Sequence, residues 1–225
     1  MIIEVKKYST SSLILMVSIH FAKAQIPVEI FTGQKRTTLD VMFFKYFKRD
    51  NSISDNTEYH WLFFNRNRAS IDYRMTSTQY LPQFGFTEAI SYNHKHLKGF
   101  APVIVAQILS WGVYSKAGIQ YAHIQKQMTI FSWIVAETQS RPEIDYFLLC
   151  RFTPQLSSKV HLFAQVETIN TYNAFGDKVL SLTQRGRLGL QLQSFQFGAG
   201  IDCNQTGYKT YTNTNNIGGF IRHEF

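Results

Sequence analysis

Beyond residue 35, apolar and polar positions alternate with period two in segments of about ten residues, each bounded by turn-forming residues. The last ten residues show the pattern most clearly. Ile217, Gly219, Ile221, His223 and Phe225 fall on one face, and Asn216, Gly218, Phe220, Arg222 and Glu224 on the other. The same reading predicts strands near 36–48, 57–66, 68–76, 83–93, 100–109, 112–124, 127–138, 143–153, 159–170, 178–192, 194–205 and 213–225, twelve in all. The predicted class is all-β, a single antiparallel sheet. The count falls to ten if Glu58–Met75 is one long strand, or if the hairpin around Ser110-Trp111-Gly112 is no turn. Residues 25–35 are expected to pair at the start of the first strand or to tuck into the lumen mouth.

The N-terminal region is patterned differently. Lys6-Lys7 precede an apolar run from Leu13 to Phe21, and Ala22-Lys23-Ala24 follows. A basic start, a short apolar stretch and an A-x-A site read as a signal peptide over 1–24. The run is too short for a spanning helix of ~20 residues. Residues 25–225 then form one domain, and their longest uninterrupted apolar run is Phe100–Ala106. A chain without a spanning helix crosses a bilayer only as a closed barrel, because lipid offers no partner to unpaired backbone groups.

Together, the alternating last strand ending at Phe225 and the N-terminal signal resemble a small Gram-negative outer-membrane β-barrel protein. Gln25 after the cleavage site is similar to secreted proteins of the Bacteroidota. The resemblance implies Sec export, an outer-membrane location, and recognition of Ile217, Ile221 and Phe225 as an assembly signal by the barrel-assembly machinery. It also implies contact with outer-membrane lipid and lipopolysaccharide. An even strand count puts both termini in the periplasm. Lys48–Asn56, Asn170–Asp177 and Asn204–Thr212 are then expected to be extracellular, and Arg66-Asn67-Arg68, Ile124-Gln125-Lys126 and Leu192-Gln193-Ser194 periplasmic. Asn93–Gly99 and Thr153–Lys159 are longer than periplasmic turns usually are. Nothing follows Phe225, so no peptidoglycan-binding domain is expected.

Charge changes the picture little. Of 23 Lys+Arg and 15 Asp+Glu, residues 1–24 hold Lys6, Lys7, Lys23 and Glu4, which leaves a modest basic excess. The bases are scattered and match no nucleic-acid motif, so no nucleic acid is expected as a partner. A polar lumen and an anionic lipopolysaccharide surface account for the excess.

Alternation assigns the ionisable residues to the interior: Asp40, Asp72, Arg74, Asp145, Arg151, Glu167, Arg185, Arg187, Asp202, Arg222 and Glu224. An arginine facing lipid at mid-depth costs ~2–4 kcal/mol, which drives this orientation. In a narrow barrel these groups are expected to pair across the lumen and fill it. The competing reading is a narrow solute pore with a ladder at Arg185 and Arg187, extended by Gln191. Leu39, Val41, Phe43, Leu188, Leu190, Phe197 and Ile201 are assigned to lipid. So are Cys150 and Cys203, which fall on non-adjacent strands and are expected to stay reduced.

No catalytic constellation is apparent. A lipid-modifying enzyme of phospholipase or lipid A type needs a nucleophile beside an oriented base, and no His-x-Ser occurs. His94-x-His96 lies in a basic turn without a carboxylate, short of the three or four ligands of a zinc site. Neither a metal nor an organic cofactor is expected. Trp61–Tyr73 reads as an aromatic girdle followed by a tight turn, or as a docking surface that uses Arg66 and Arg68. The composite expectation is a barrel with a charged, side-chain-filled lumen, acting as a structural or accessory envelope component beside another envelope protein. A narrow pore and a lipid-modifying enzyme are the alternatives.

Overall fold

The computed structural model describes residues 26–48, 59–73, 82–110, 112–139, 142–173, 180–208 and 210–225. The expected signal peptide and Arg74 lie outside them. The strands are β1 (Pro27–Gly33), β2 (Arg36–Lys48), β3 (Tyr59–Asp72), β4 (Gln83–Tyr92), β5 (Phe100–Leu109) and β6 (Gly112–Ile124). The second half adds β7 (Met128–Glu137), β8 (Glu143–Phe152), β9 (Val160–Asn173), β10 (Leu180–Leu192), β11 (Phe195–Gly207) and β12 (Tyr211–Glu224). Each pairs antiparallel with its neighbours in sequence, and β1 pairs with β12 to close the barrel.

The count of twelve holds, but through two compensating differences. Arg66-Asn67-Arg68 is no turn: β3 runs straight through it, paired with β2 from Arg36↔Asp72 to Lys48↔Tyr59. Residues 27–33 form the missing strand, paired with β12 from Pro27↔Glu224 to Gly33↔Gly218 and with β2 from Val28↔Val41 to Thr32↔Thr37. A polar Asn-Arg-Asn-Arg run resembles a turn in sequence, yet alternation sends the arginines inward and the asparagines outward without breaking the ladder. The extra first strand also reverses the placement of one connection. The ends of β2 and β3 that flank 49–58 lie at the end of the barrel that carries the termini, together with the connections at 93–99, 125–127, 153–159 and 193–194. The strand ends that flank 49–58 therefore lie opposite the C-terminal ends of β9 and β11, whereas the sequence pattern predicts Lys48–Asn56 at the same end as the connections after those strands.

The outer wall is apolar. Ile104, Ile119, Leu188 and Ile221 are each about three-fifths exposed. Leu39, Leu190, Phe197 and Ile201 also face out, as do Cys150 on β8 and Cys203 on β11, both free thiols. Exposed aromatics bound this band. Phe47, Trp61, Tyr92, Phe100, Phe152 and Phe195 lie toward the end with the termini, and Tyr73, Tyr172, Tyr208 and Tyr211 toward the other. An apolar band between two aromatic girdles on a closed antiparallel barrel is the architecture of an outer-membrane-type protein, since such a surface has no stable state in water.

Inside, glycine makes room where large side chains cross. A Cβ at Gly200 on β11 would sit 2.8 Å from Arg187 Cδ and 3.0 Å from the Phe31 ring. At outward Gly219 the nearest atom would be 3.6 Å away. Gly200→Val is therefore expected to lower stability by about 1–3 kcal/mol through overpacking, whereas Gly219→Ala leaves it nearly unchanged. Urea unfolding of the refolded barrel, followed by heat-modifiable migration, measures both.

Candidate functional site

The lumen divides into two parts. Toward β2–β8 an apolar cluster fills it: Met42, Leu62, Phe64, Ala89, Val103, Val105, Ala122, Phe131, Trp133, Val135, Phe147 and Leu149 are all buried. Phe64 stacks on Phe131 at 5.2 Å and meets Trp133 edge-on at 5.1 Å, and Trp133 lies 5.1 Å from Phe147. The signal for this cluster was present in the largely apolar runs of β5, β7 and β8, whose outward residues face lipid while their inward ones pack the cluster.

The other part is ionic, and strand register builds it. On the inner face, Glu29 of β1 lies between Arg222 of β12 and Asp40 of β2, and Asp40 faces Arg68 of β3. Arg185 of β10 lies between Glu167 of β9 and Asp202 of β11. Contacts across the lumen tie these rows together. Arg66 pairs with Asp40 and, at 2.9 Å, with Glu167, which also pairs with Arg185. Arg68 reaches Asp202 at 3.1 Å. Arg187 bridges Glu29 and Asp202, both at 2.9 Å, and its guanidinium lies 3.9 Å from the centre of the Phe31 ring. Arg151 Nε and Arg222 Nη1 both donate to Gln165 Oε1, at 2.9 and 3.2 Å. Arg36 lies 3.9 Å from Asp202. Asp202 is wholly buried and Glu167 is 1% exposed, so the arginines around them supply their counter-charge.

Of the residues assigned inward from sequence, Asp40, Glu167, Arg185, Arg187, Asp202, Arg151, Arg222 and Glu224 gather in or beside this network. Glu224 accepts from Gln196 Nε2 at 2.9 Å and lies 3.7 Å from Arg222. Asp72 is on the inner face of β3. Asp145 stands apart: it accepts from Lys116 Nζ at 2.5 Å and from Thr171 at 2.9 Å. Arg185 and Arg187 do not present a free ladder, because both are engaged by carboxylates. Sequence reading missed Glu29 and Arg36, which it left before or at the edge of the first strand, and Lys116. It also placed Arg66 and Arg68 in a turn. Extending the alternation through β3 would have found these two arginines. With both turned inward they offer no outer docking surface, although Trp61 does lie on the outer girdle, 5.1 Å from Tyr92.

Two further clusters bear on chemistry. His94 and His96 stack at 4.9 Å around the short turn Lys95–Leu97, and no group of metal-ligating side chains is present among the described residues. At the β10–β11 turn, Ser194 Oγ lies 3.0 Å from His223 Nε2 on the outer wall. His223 is flanked by Phe195 and Phe225, each 4.3 Å away, and its buried Nδ1 has no hydrogen-bond partner. This is a nucleophile–base pair without the group that would orient the imidazole. The two residues are far apart in sequence, so a search for local spacing does not find them.

Asp202 accepts from or lies beside four arginines: Arg36, Arg68, Arg185 and Arg187. Asp202→Ala leaves them without their shared counter-charge and is expected to cost about 3–5 kcal/mol. Asp202→Ala combined with Arg187→Met should recover part of this. A double-mutant cycle by urea unfolding would show the coupling as a non-additive remainder.

No family model and no curated protein matches this chain. Solved structures do. A KdgM porin in complex with disordered oligogalacturonate is 8% identical, covering 89% of this chain and 99% of its own, with a TM-score of 0.49. OmpT of Vibrio cholerae is 9% identical over 90% of this chain and 95% of its own, TM-score 0.37. The translocator domain of the autotransporter NalP from Neisseria meningitidis is 11% identical over 90% and 87%, TM-score 0.32. These likenesses are distant, and the assignment as an outer-membrane-type barrel rests on the closed antiparallel sheet, its apolar band and its girdles.

Proposed function

We propose that this protein is a structural barrel of the outer membrane, a closed scaffold acting as an accessory component of the envelope. The observation that carries the reading is the filled lumen. Arg66, Arg68, Arg185 and Arg187 are engaged by Glu29, Asp40, Glu167 and Asp202 of neighbouring and opposite strands, and Phe64, Phe131, Trp133 and Phe147 pack the other side. A conducting pore needs charged groups that bind solute weakly enough to release it, whereas these are committed to one another.

The outer wall supports an accessory role. Near the middle of β4, Glu88 faces outward and is exposed. It accepts from Asn65 Nδ2 at 3.3 Å, and Asn65 Oδ1 accepts from Asn67 Nδ2 at 3.2 Å. A carboxylate and two amides within an apolar band are costly against lipid. A polar partner surface would satisfy them, so this strip is where a neighbouring envelope protein would sit.

A second reading attaches to Ser194 and His223. Their hydrogen bond on the outer wall favours lipid hydrolysis over any other chemistry here, and the unpartnered Nδ1 weighs against it.

Purified barrel in a planar bilayer is expected to be silent. Discrete ion-selective steps would overturn the scaffold reading in favour of a pore. With phospholipid vesicles no turnover is expected, and hydrolysis that disappears in Ser194→Ala would establish the enzyme instead. Glu88→Leu is expected to raise the unfolding midpoint of the isolated barrel in lipid. An unchanged or lower midpoint would show that the strip serves the fold itself.

A further inference from the structure

Within the ionic half of the lumen lies a cavity of about 20 Å³, room for a single water-sized occupant. Four arginines, Arg66, Arg185, Arg187 and Arg222, line it with three carboxylates, Glu29, Asp40 and Glu167. The lining therefore carries one positive charge in excess. Its unmet hydrogen-bonding capacity has the same sign. Arg185 Nε, and Arg222 Nε and Nη2 are buried N–H groups without a hydrogen-bond acceptor, with Asp202 4.0 Å from Arg185 Nε and Glu224 3.7 Å from Arg222 Nη2, and the Arg222 side chain is 3% exposed. Arg151 Nη2, next to Arg222 through Gln165, is in the same condition. No carboxylate oxygen of the lining is left unmatched in this way.

We propose that this cavity is a binding site for a monatomic anion, a halide. Such an ion only accepts hydrogen bonds, whereas water would bring two donors of its own to a site whose free groups are all donors. One negative charge cancels the excess of the lining. A cavity of about 20 Å³ suits a monatomic ion better than phosphate, sulfate or a carboxylate ligand. The ion is thus a structural counter-charge that completes the network rather than a transported solute. The proposal rests on the closed lumen, and the two fail separately: conductance would remove the scaffold reading, while a silent, halide-insensitive barrel would remove the site alone.

The test compares thermal unfolding of the refolded barrel in sodium chloride, bromide and gluconate at equal ionic strength and in zwitterionic detergent. The midpoint should be higher by several degrees in both halides than in gluconate, which is too large to enter. Crystals grown with bromide should give an anomalous peak among Arg66, Arg185 and Arg222. Gln165→Glu tests the charge argument without removing an arginine. It places a carboxylate where Arg151 and Arg222 already donate, so it should raise the midpoint in gluconate and abolish the halide increment. Equal midpoints in all three salts with no bromide peak would overturn the proposal, as would a halide increment that Gln165→Glu leaves intact.

Discussion

In hydrocarbon every backbone N–H and C=O must be paired within the protein, and a sheet meets that demand only by closing on itself. Here closure depends on the short β1, which lies between β2 and β12 and hydrogen-bonds to both. Without it the first and last long strands would each present an open edge to lipid. Closure at twelve strands also fixes the width of the lumen, and the width sets the next problem: what to do with an interior too narrow to be a broad aqueous channel and lined by strongly polar side chains.

The solution is to fill it in two ways. Aromatic and aliphatic groups pack together on one side as they would in a soluble core, while arginines and carboxylates interlock on the other. Ion pairs removed from water seldom add net stability, because desolvation offsets much of their attraction. What they supply here is geometry. Arg66, Arg68 and Arg187 each reach carboxylates on other parts of the wall, so the network acts as a set of cross-braces. The cost appears as donors left without acceptors around a small cavity, where a single anion restores the balance.

The interior and the outer wall therefore divide the work. The interior holds the barrel shut and rigid. On the wall, polar groups interrupt the apolar band at Glu88, and Ser194 meets His223.

Period-two alternation decided from sequence alone which side chains face in and which face out, because on a two-sided sheet a residue in the wrong phase places charge in lipid. Asp40, Glu167 and Asp202 on one side, and Leu188, Ile201 and both cysteines on the other, follow from that rule. It did not reveal β1, whose seven residues carry little pattern of their own and are held by β2 and β12. Nor did it show that Asn65–Arg68 continues a strand, because local composition there mimics a turn and only the ladder to β2 and β4 overrides it. Above all, alternation cannot say which inward groups meet. Arg185 faces Glu167 and Asp202 because of interstrand register, and Arg66 reaches Glu167 across the lumen because of barrel curvature. The sequence by itself determined the face of each residue; the tertiary structure decided its partners, since register and closure depend on hydrogen bonds between strands that are distant along the chain.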